Sequence, residues 1–238
     1  MKPVKALFLD FDGTLLDGSG QREAIRATCC EIASAHSDLD AARLREANGD
    51  AWTHYWSTVA HRWTLGSLDG ASVSHEAWRR TLRACGCDDP AIVREASAAH
   101  ARHLRKSLRL YPDVHALLPS VGRRYSLALV TNGASDTQRA GLRMLGIDRA
   151  FDAITISAEV GIAKPDPAIF QVTLRELAVE PEHVWHIGDD PLTDVAGAQA
   201  AGLTAVWLNR CGSLWSKDNP EPDYEVRSLS ALPTLLPA

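Results

Sequence analysis

The chain has 238 residues, a formal net charge of −5 with its nine histidines neutral, and 45% hydrophobic against 23% charged residues. That balance can bury a core and excludes an intrinsically disordered chain, and the length predicts one large domain or one domain with a substantial insertion. A pI near 6.0 without any basic tract argues against a nucleic-acid scaffold.

No apolar run reaches the roughly 18 residues that span a bilayer. The first run, before Asp10, is too short for a signal peptide. Cysteines stand at positions 29, 30, 85, 87 and 211. Their spacing matches no common zinc or redox pair, and an odd count suits reduced thiols in a reducing compartment. The expectation is a cytoplasmic protein with no membrane and no nucleic-acid partner. Oligomeric state is not legible.

Residues 5–11 are a short apolar run ending in acid and predict a buried strand. Residues 21–36 and 40–63 follow a helical pattern, with breaks at Ser37-Asp38 and Leu65-Gly66. Another helix is predicted over 74–85, stopped by Gly86. Asp89-Pro90 then opens one more, with Asp as N-cap and Pro at the first helical position. No convincing strand falls within about 21–106, so a bundle of four or five helices is expected there.

From Tyr111 onward strands and helices alternate. Strands are predicted over 126–131, 153–157, 184–188 and 204–208. Helices are predicted over 136–145, closed by Gly146, over 167–178, and over 194–201, closed by Gly202. Such alternation implies an α/β fold, a parallel Rossmann-like sheet with helices on both faces. The expected division is a catalytic core of 1–16 and 108–238, with 17–107 forming an inserted all-helical cap over the strand ends, where such sheets bind ligands.

Four polar clusters follow four predicted strands: Asp10-Phe11-Asp12-Gly13-Thr14, Thr131-Asn132-Gly133, Lys164-Pro165-Asp166, and Gly188-Asp189-Asp190 with Asp194. Taken singly, each reads as turn or cap chemistry. Asp190 is as well explained as an N-cap, and Asp166 as structural. Together, in a parallel sheet, they converge on one crevice. There Asp10, Asp12 and Asp189, with Asp190 and Asp194 as further candidates, would crowd around Lys164. So many carboxylates require protonation or a cation, and oxygen-only ligands suit Mg²⁺.

Asp10-Phe11-Asp12-Gly13-Thr14-Leu15 resembles the first motif of the haloacid dehalogenase superfamily of hydrolases. Thr131-Asn132-Gly133 resembles its second motif, Lys164-Pro165-Asp166 its third, and Gly188-Asp189 with Asp194 its acidic fourth. The helical insertion is similar to that family's type 1 cap. Gln138 and Glu159-Val160-Gly161 resemble its phosphatase branch, which acts on nucleotides and sugar phosphates.

The resemblance implies a Mg²⁺-dependent phosphatase acting on a small phosphorylated metabolite through an aspartyl-phosphate. Asp10 would be nucleophile and Asp12 general acid, then general base. Asp10, the Asp12 backbone carbonyl and Asp189 would hold Mg²⁺. Thr131, Asn132 and Lys164 would bind the phosphoryl oxygens, with Asp194 orienting Lys164 or a metal-bound water and Gly133 in a supporting place.

A 2-haloacid dehalogenase of the same superfamily replaces the second acid of the first motif, which this chain keeps as Asp12. A phosphomutase would keep it and stays open. A phosphonate-cleaving member needs a cap lysine, and none lies between 17 and 105. A phospho-acceptor receiver module, a non-enzyme, is about half this length.

Substrate choice is expected to lie in the cap. Trp52, Trp56 and Trp63 share a helical face, which reads either as a buried stripe or as one ring turned to the crevice. His54 with His61, and His100 with His103, are expected to be solvated pairs. Arg22 and Arg26 are candidates for a substrate anion.

Overall fold

Strand β1 (Ala6–Leu9) is buried along its whole length and stands inside a sheet with no antiparallel pair. In the computed structural model, which describes residues 2–236, six parallel strands run in the order β3-β2-β1-β4-β5-β6. They are β1, β2 (Ser126–Thr131), β3 (Ala153–Ile156), β4 (Val184–Gly188), β5 (Thr204–Leu208) and β6 (Tyr224–Val226). Leu9 pairs with Leu129 on one side and Ile187 on the other. The order of connection reverses at β1 and β4, so the crevice beyond their carboxyl ends is a topological switch point.

The sheet is covered twice. Leu7 and Leu9 pack with Val114, Leu118 and Leu142 on one face. Ala6 and Phe8 pack with Ile169, Phe170 and Ala198 on the other. This two-sided burial is why the strands read as continuous apolar runs.

Four helices follow β1 and pack on one another: α1 (Ser19–Ala35), α2 (Ala41–Thr64), α3 (Gly70–Ala84) and α4 (Pro90–Ser107). Their clusters, Ile32-Leu44-Trp78-Leu82-Val93 and Tyr55-Val59-Val73-Ala77, contain no strand residue. Helix α3 begins four residues before the predicted start, because Asp69 caps it by accepting from Ser72 N–H. Asp89 caps α4 as its sequence suggests, and Asp40, expected as the first residue of its helix, is instead the N-cap of α2. The two chain crossings into the insertion lie side by side. Asp17 N–H donates to Arg109 carbonyl and Tyr111 N–H to Leu15 carbonyl, both at 2.9 Å.

Helix α5 (Pro112–Val121) precedes β2, and α6 (Ser135–Leu145) follows it. The strand expected over 153–157 ends one residue early, since Ser157 opens the short α7 (Ser157–Val160). Helix α8 (Pro167–Leu177) is capped by Asp166, which supports the structural reading of that residue. After β4 comes a π-helical turn (Pro191–Ala196) running into α9 (Gly197–Ala200), and α10 (Leu232–Leu235) closes the described chain. No helix among the described residues is long and apolar enough to cross a membrane.

One expectation in the insertion is overturned. His100 is buried at 7% exposure, 5.6 Å from the Trp78 ring. It falls seven residues after Val93, on the inward face of α4. His103 is half-buried and pairs with Glu31 at 2.7 Å. His54 and His61 are exposed.

Candidate active site

Asp10 directly follows β1, Thr131 ends β2, and Asp189 directly follows β4. The parallel register brings these positions to one edge. Lys164, between α7 and α8, is 4% exposed, and its Nζ donates to Asp10 Oδ1 at 2.6 Å and Asp194 Oδ1 at 2.5 Å. Asp194 lies in the π-helical turn, which aims it back under the sheet edge. There it also meets His186 Nε2 at 3.0 Å and Asp190 N–H at 3.0 Å.

The first motif turns sharply at Gly13, whose φ is +80°. A Cβ there would stand 2.4 Å from Asp189 Oδ2, so a side chain would drive Asp189 away from Asp10. Thr14 Oγ1 donates to Asp189 Oδ1 at 3.3 Å, and Trp207 Nε1 to the Asp189 carbonyl at 3.0 Å. Asp12 reaches solvent at the crevice mouth, with Oδ2 accepting from Gln138 Nε2 at 2.9 Å.

The two polar side chains of the second motif are placed differently. Thr131 Oγ1 is buried without a partner among the described residues. Asn132 clamps the third motif: its Nδ2 donates to Lys164 carbonyl and its Oδ1 accepts Lys164 N–H, both at 2.9 Å. The Asn132 side chain is thus engaged in holding Lys164. Gly133 N–H donates to Ser157 Oγ, which in turn donates to Thr64 carbonyl at the end of α2. Asp190 caps the π-helical turn, accepting from Leu192 and Thr193 N–H at 2.9 and 2.7 Å.

One buried cation serves several acids. Burial, with Asp194 adding repulsion, holds the Asp10 carboxyl well above the usual range, and Lys164 only partly offsets it. Burial would also raise Asp194, but Lys164 and His186 outweigh it and keep this residue ionised. Burial pushes Asp189 up to about 6, with Asp194 adding to the effect. Partial desolvation raises Asp12, although its edge reaches solvent, against the pull of Gln138 and Lys164. Burial would lower the Lys164 ammonium, but Asp10 and Asp194 hold it up. Burial lowers His186.

Four motif ends, one lysine between two acids, and a parallel sheet of this order are a constellation that comparison can test. A family model described as haloacid dehalogenase-like hydrolase matches residues 4–202. The chain belongs to the haloacid dehalogenase-like hydrolases. Among curated relatives it is 34% identical to the phosphoserine phosphatase of Thermus thermophilus, over 95% of this chain and 96% of that one. It is 28% identical to the N-acylneuraminate-9-phosphatase of Rattus norvegicus, over 98% and 94%. Among solved structures, a 2-haloacid dehalogenase from Pseudomonas syringae superposes with a TM-score of 0.70 at 27% identity, covering 98% of both chains. This haloacid dehalogenase-like hydrolase is therefore an enzyme with phosphatase relatives and a dehalogenase neighbour.

The acids fit the divalent cation that the family implies. Asp10, Asp189 and Asp194 each offer a carboxylate oxygen within 4.8 Å of the others. Lys164 engages Asp10 and Asp194 but not Asp189, which leaves one acid uncompensated. A hard oxygen-ligated ion at this cluster would let Asp10 and Asp189 ionise together.

Arg22 and Arg26 lie exposed on α1, with no hydrogen bond or ion pair to the motif residues among those described. Sequence reasoning missed His186 and the role of Gln138. A histidine in the apolar run Val-Trp-His-Ile-Gly was a usable signal, since a polar residue inside a fully buried strand needs a partner. Gln138 carried none beyond its family likeness, because its partner is 126 residues away.

Proposed function

We propose that the chain is a Mg²⁺-dependent phosphatase that hydrolyses a small phosphorylated metabolite, of the nucleotide or sugar-phosphate class, through an aspartyl-phosphate on Asp10. In this reading 1–16 and 108–238 form the catalytic core, and 17–107 is a cap that meets the leaving group. The observation that carries it is a second acid, Asp12, held by an amide two residues after a carboxyl that lies on Lys164. Displacing halide needs no proton donor, whereas releasing an alkoxide does. Asp12 therefore favours phosphate-ester chemistry over that of the dehalogenase neighbour.

Asp10 Oδ1 is engaged by Lys164, which makes Oδ2 the attacking atom. It forms a bond to phosphorus as the ester P–O bond breaks, and the proton of Asp12 passes to the leaving oxygen. Water then attacks phosphorus and yields a proton to the Asp12 carboxylate, while the P–O bond to Asp10 breaks and restores the nucleophile. Thr131 Oγ, the Asn132 backbone N–H and the Lys164 ammonium would neutralise the equatorial oxygens. Asp194 acts through Lys164, fixing its ammonium beside Asp10, and is a positioning residue. Asp10, the Asp12 carbonyl and Asp189 would hold Mg²⁺, which supplies charge neutralisation between carboxylate and phosphoryl group.

The test is turnover of a panel of phosphate monoesters and of 2-haloacids in Mg²⁺. Inorganic phosphate without halide is expected. Halide release from a 2-haloacid, with every ester intact, would overturn the proposal. Conversion of one phosphate ester to its isomer without free phosphate would assign a mutase instead.

A further inference from the structure

Gln138 is 1% exposed, yet it is not satisfied by its own surroundings. Its Nε2 donates to Asp12 Oδ2 at 2.9 Å and lies 3.4 Å from the Asn132 carbonyl. Its Oε1 has no partner among the described residues. Buried amides are ordinarily paired at both ends, and one left half-paired calls for a reason beyond packing.

The loop opposite is shaped around this amide. A Cβ on Gly133 would stand 2.5 Å from Gln138 Nε2 and 2.6 Å from Cη2 of Trp63. Only glycine lets both side chains close on that loop. Trp63 comes from the last turn of α2, so the insertion walls in the amide. Asp12, by contrast, lies on a tight loop and opens to solvent. A carboxyl in that setting has rotamers to choose from unless something restricts it.

We propose that Gln138 is a positioning residue for Asp12: by holding Oδ2, it leaves Oδ1 as the atom that protonates the leaving oxygen and then accepts the proton of water. The inference rests on the phosphatase reading. Gln138 itself exchanges no proton and touches neither substrate nor metal. Its contribution is to keep a general acid within hydrogen-bond reach of the leaving oxygen, where small misplacements lower rates steeply.

The variant Gln138→Met keeps the length and loses the donor. It is compared with wild type, in saturating Mg²⁺, for single-turnover formation of the aspartyl-phosphate from an alkyl phosphate and from 4-nitrophenyl phosphate, alongside its melting temperature. A loss of about tenfold or more is expected for the alkyl ester, and less than about threefold for the aryl ester, whose leaving group scarcely needs a proton. In an Asp12→Asn background the same substitution should cause no further loss with the alkyl ester, because Gln138 acts through Asp12. Equal losses with both esters, no loss with either, or a further loss in the Asp12→Asn background would overturn the inference and return Gln138 to a packing role. If Gln138→Met does not fold, Gln138→Glu, which keeps the length but is acceptor-only when ionised, is judged by the same two contrasts. Wild type that releases phosphate from neither ester would overturn the phosphatase reading and this inference together, and is seen before any variant is measured.

Discussion

The carboxylate of Asp136, on α6, accepts the backbone N–H of Gly70 with both oxygens at 3.0 Å, and that of Ala71 at 3.3 Å. Helix α3 is thus capped twice, by Asp69 within its own chain segment and by Asp136 from the sheet side. Negative charge at that end also complements the helix dipole. With Ser157 Oγ donating to Thr64 carbonyl at 2.6 Å, the α2–α3 turn is fastened beside the second motif.

Removing this outside cap should loosen the turn locally. Asp136→Ala should lose about 1 kcal/mol, the usual worth of an N-cap. That predicts hydrogen exchange about fivefold faster at the first amides of α3, with the strands unaffected. Unchanged exchange there would show that Asp69 alone holds the helix start.

Asp10→Asn should abolish turnover and leave the fold intact. The amide is isosteric but does not attack phosphorus, so the loss should be several orders of magnitude. Lys164 keeps Asp194 as its partner, so the melting temperature should move little. A tenth of wild-type activity in purified Asp10→Asn would remove Asp10 as nucleophile.

Chelation should stop the reaction. One lysine faces the cluster of Asp10, Asp189 and Asp194. Activity should return with Mg²⁺ and poorly with Ca²⁺, which prefers longer bonds and more ligands. Full turnover in excess chelator would contradict the assigned acids.

The insertion should lose stability on mild acidification. Burial lowers His100 to about 4, and His103 nearby adds to the effect. The folded state resists protonation while the unfolded chain titrates near 6.5, so this stability is complete above pH 6.5 and is lost as pH falls toward 4. The window is worth about 3 kcal/mol. Melting temperature followed from pH 7.5 to 4.5 should fall more for wild type than for His100→Leu. Parallel curves would exclude His100 as the source.

The tryptophans should separate by role. Trp78 is 2% exposed inside the helical core, so Trp78→Ala should cost about 3–5 kcal/mol of stability. Trp63 lies on Gly133 and edge-on to Trp56 at 5.1 Å. Trp63→Ala should lower kcat/KM for a bulky, flat substrate by about 1–3 kcal/mol, the range of base–aromatic stacking, and spare acetyl phosphate. Equal loss for both substrates would make Trp63 structural. Trp52 is exposed and stacks on Trp56 at 5.3 Å, and Trp56 and Trp63 are only half-buried against Tyr55 and Val59, so the face is not a fully buried stripe.

What the sequence made legible followed burial and chain neighbourhood. Strands β1, β2, β4 and β5 are apolar runs because both faces are covered, and the acids after β1 and β4 declare the crevice. Strand β6 has three residues at the sheet edge, too few to show a pattern. Helix α5 carries Pro119 inside it, which interrupts the helical signal in the sequence. Burial of His100 depends on which way α4 rolls against Trp78, a tertiary choice. The two-sided grip of Asn132 on Lys164 is likewise long-range, and nothing in Thr-Asn-Gly distinguishes a clamp from a ligand.

Strand β1 is synthesised before both of its neighbours, yet it is an interior strand of the sheet. Its first neighbour begins at residue 126 and its second at 184, while α1 to α4 build their clusters from contacts nearer in sequence. On the ribosome the helices can therefore consolidate while Leu7, Phe8 and Leu9 wait without a sheet. Such a stretch is an aggregation hazard during synthesis. Lys5 stands before it, and Asp10 and Asp12 after it. Charges flanking an obligatory apolar strand discourage pairing with another chain. Asp10 and Asp12 thus put charge beside the nascent strand long before residues 126–131 and 184–188 exist to pair with it.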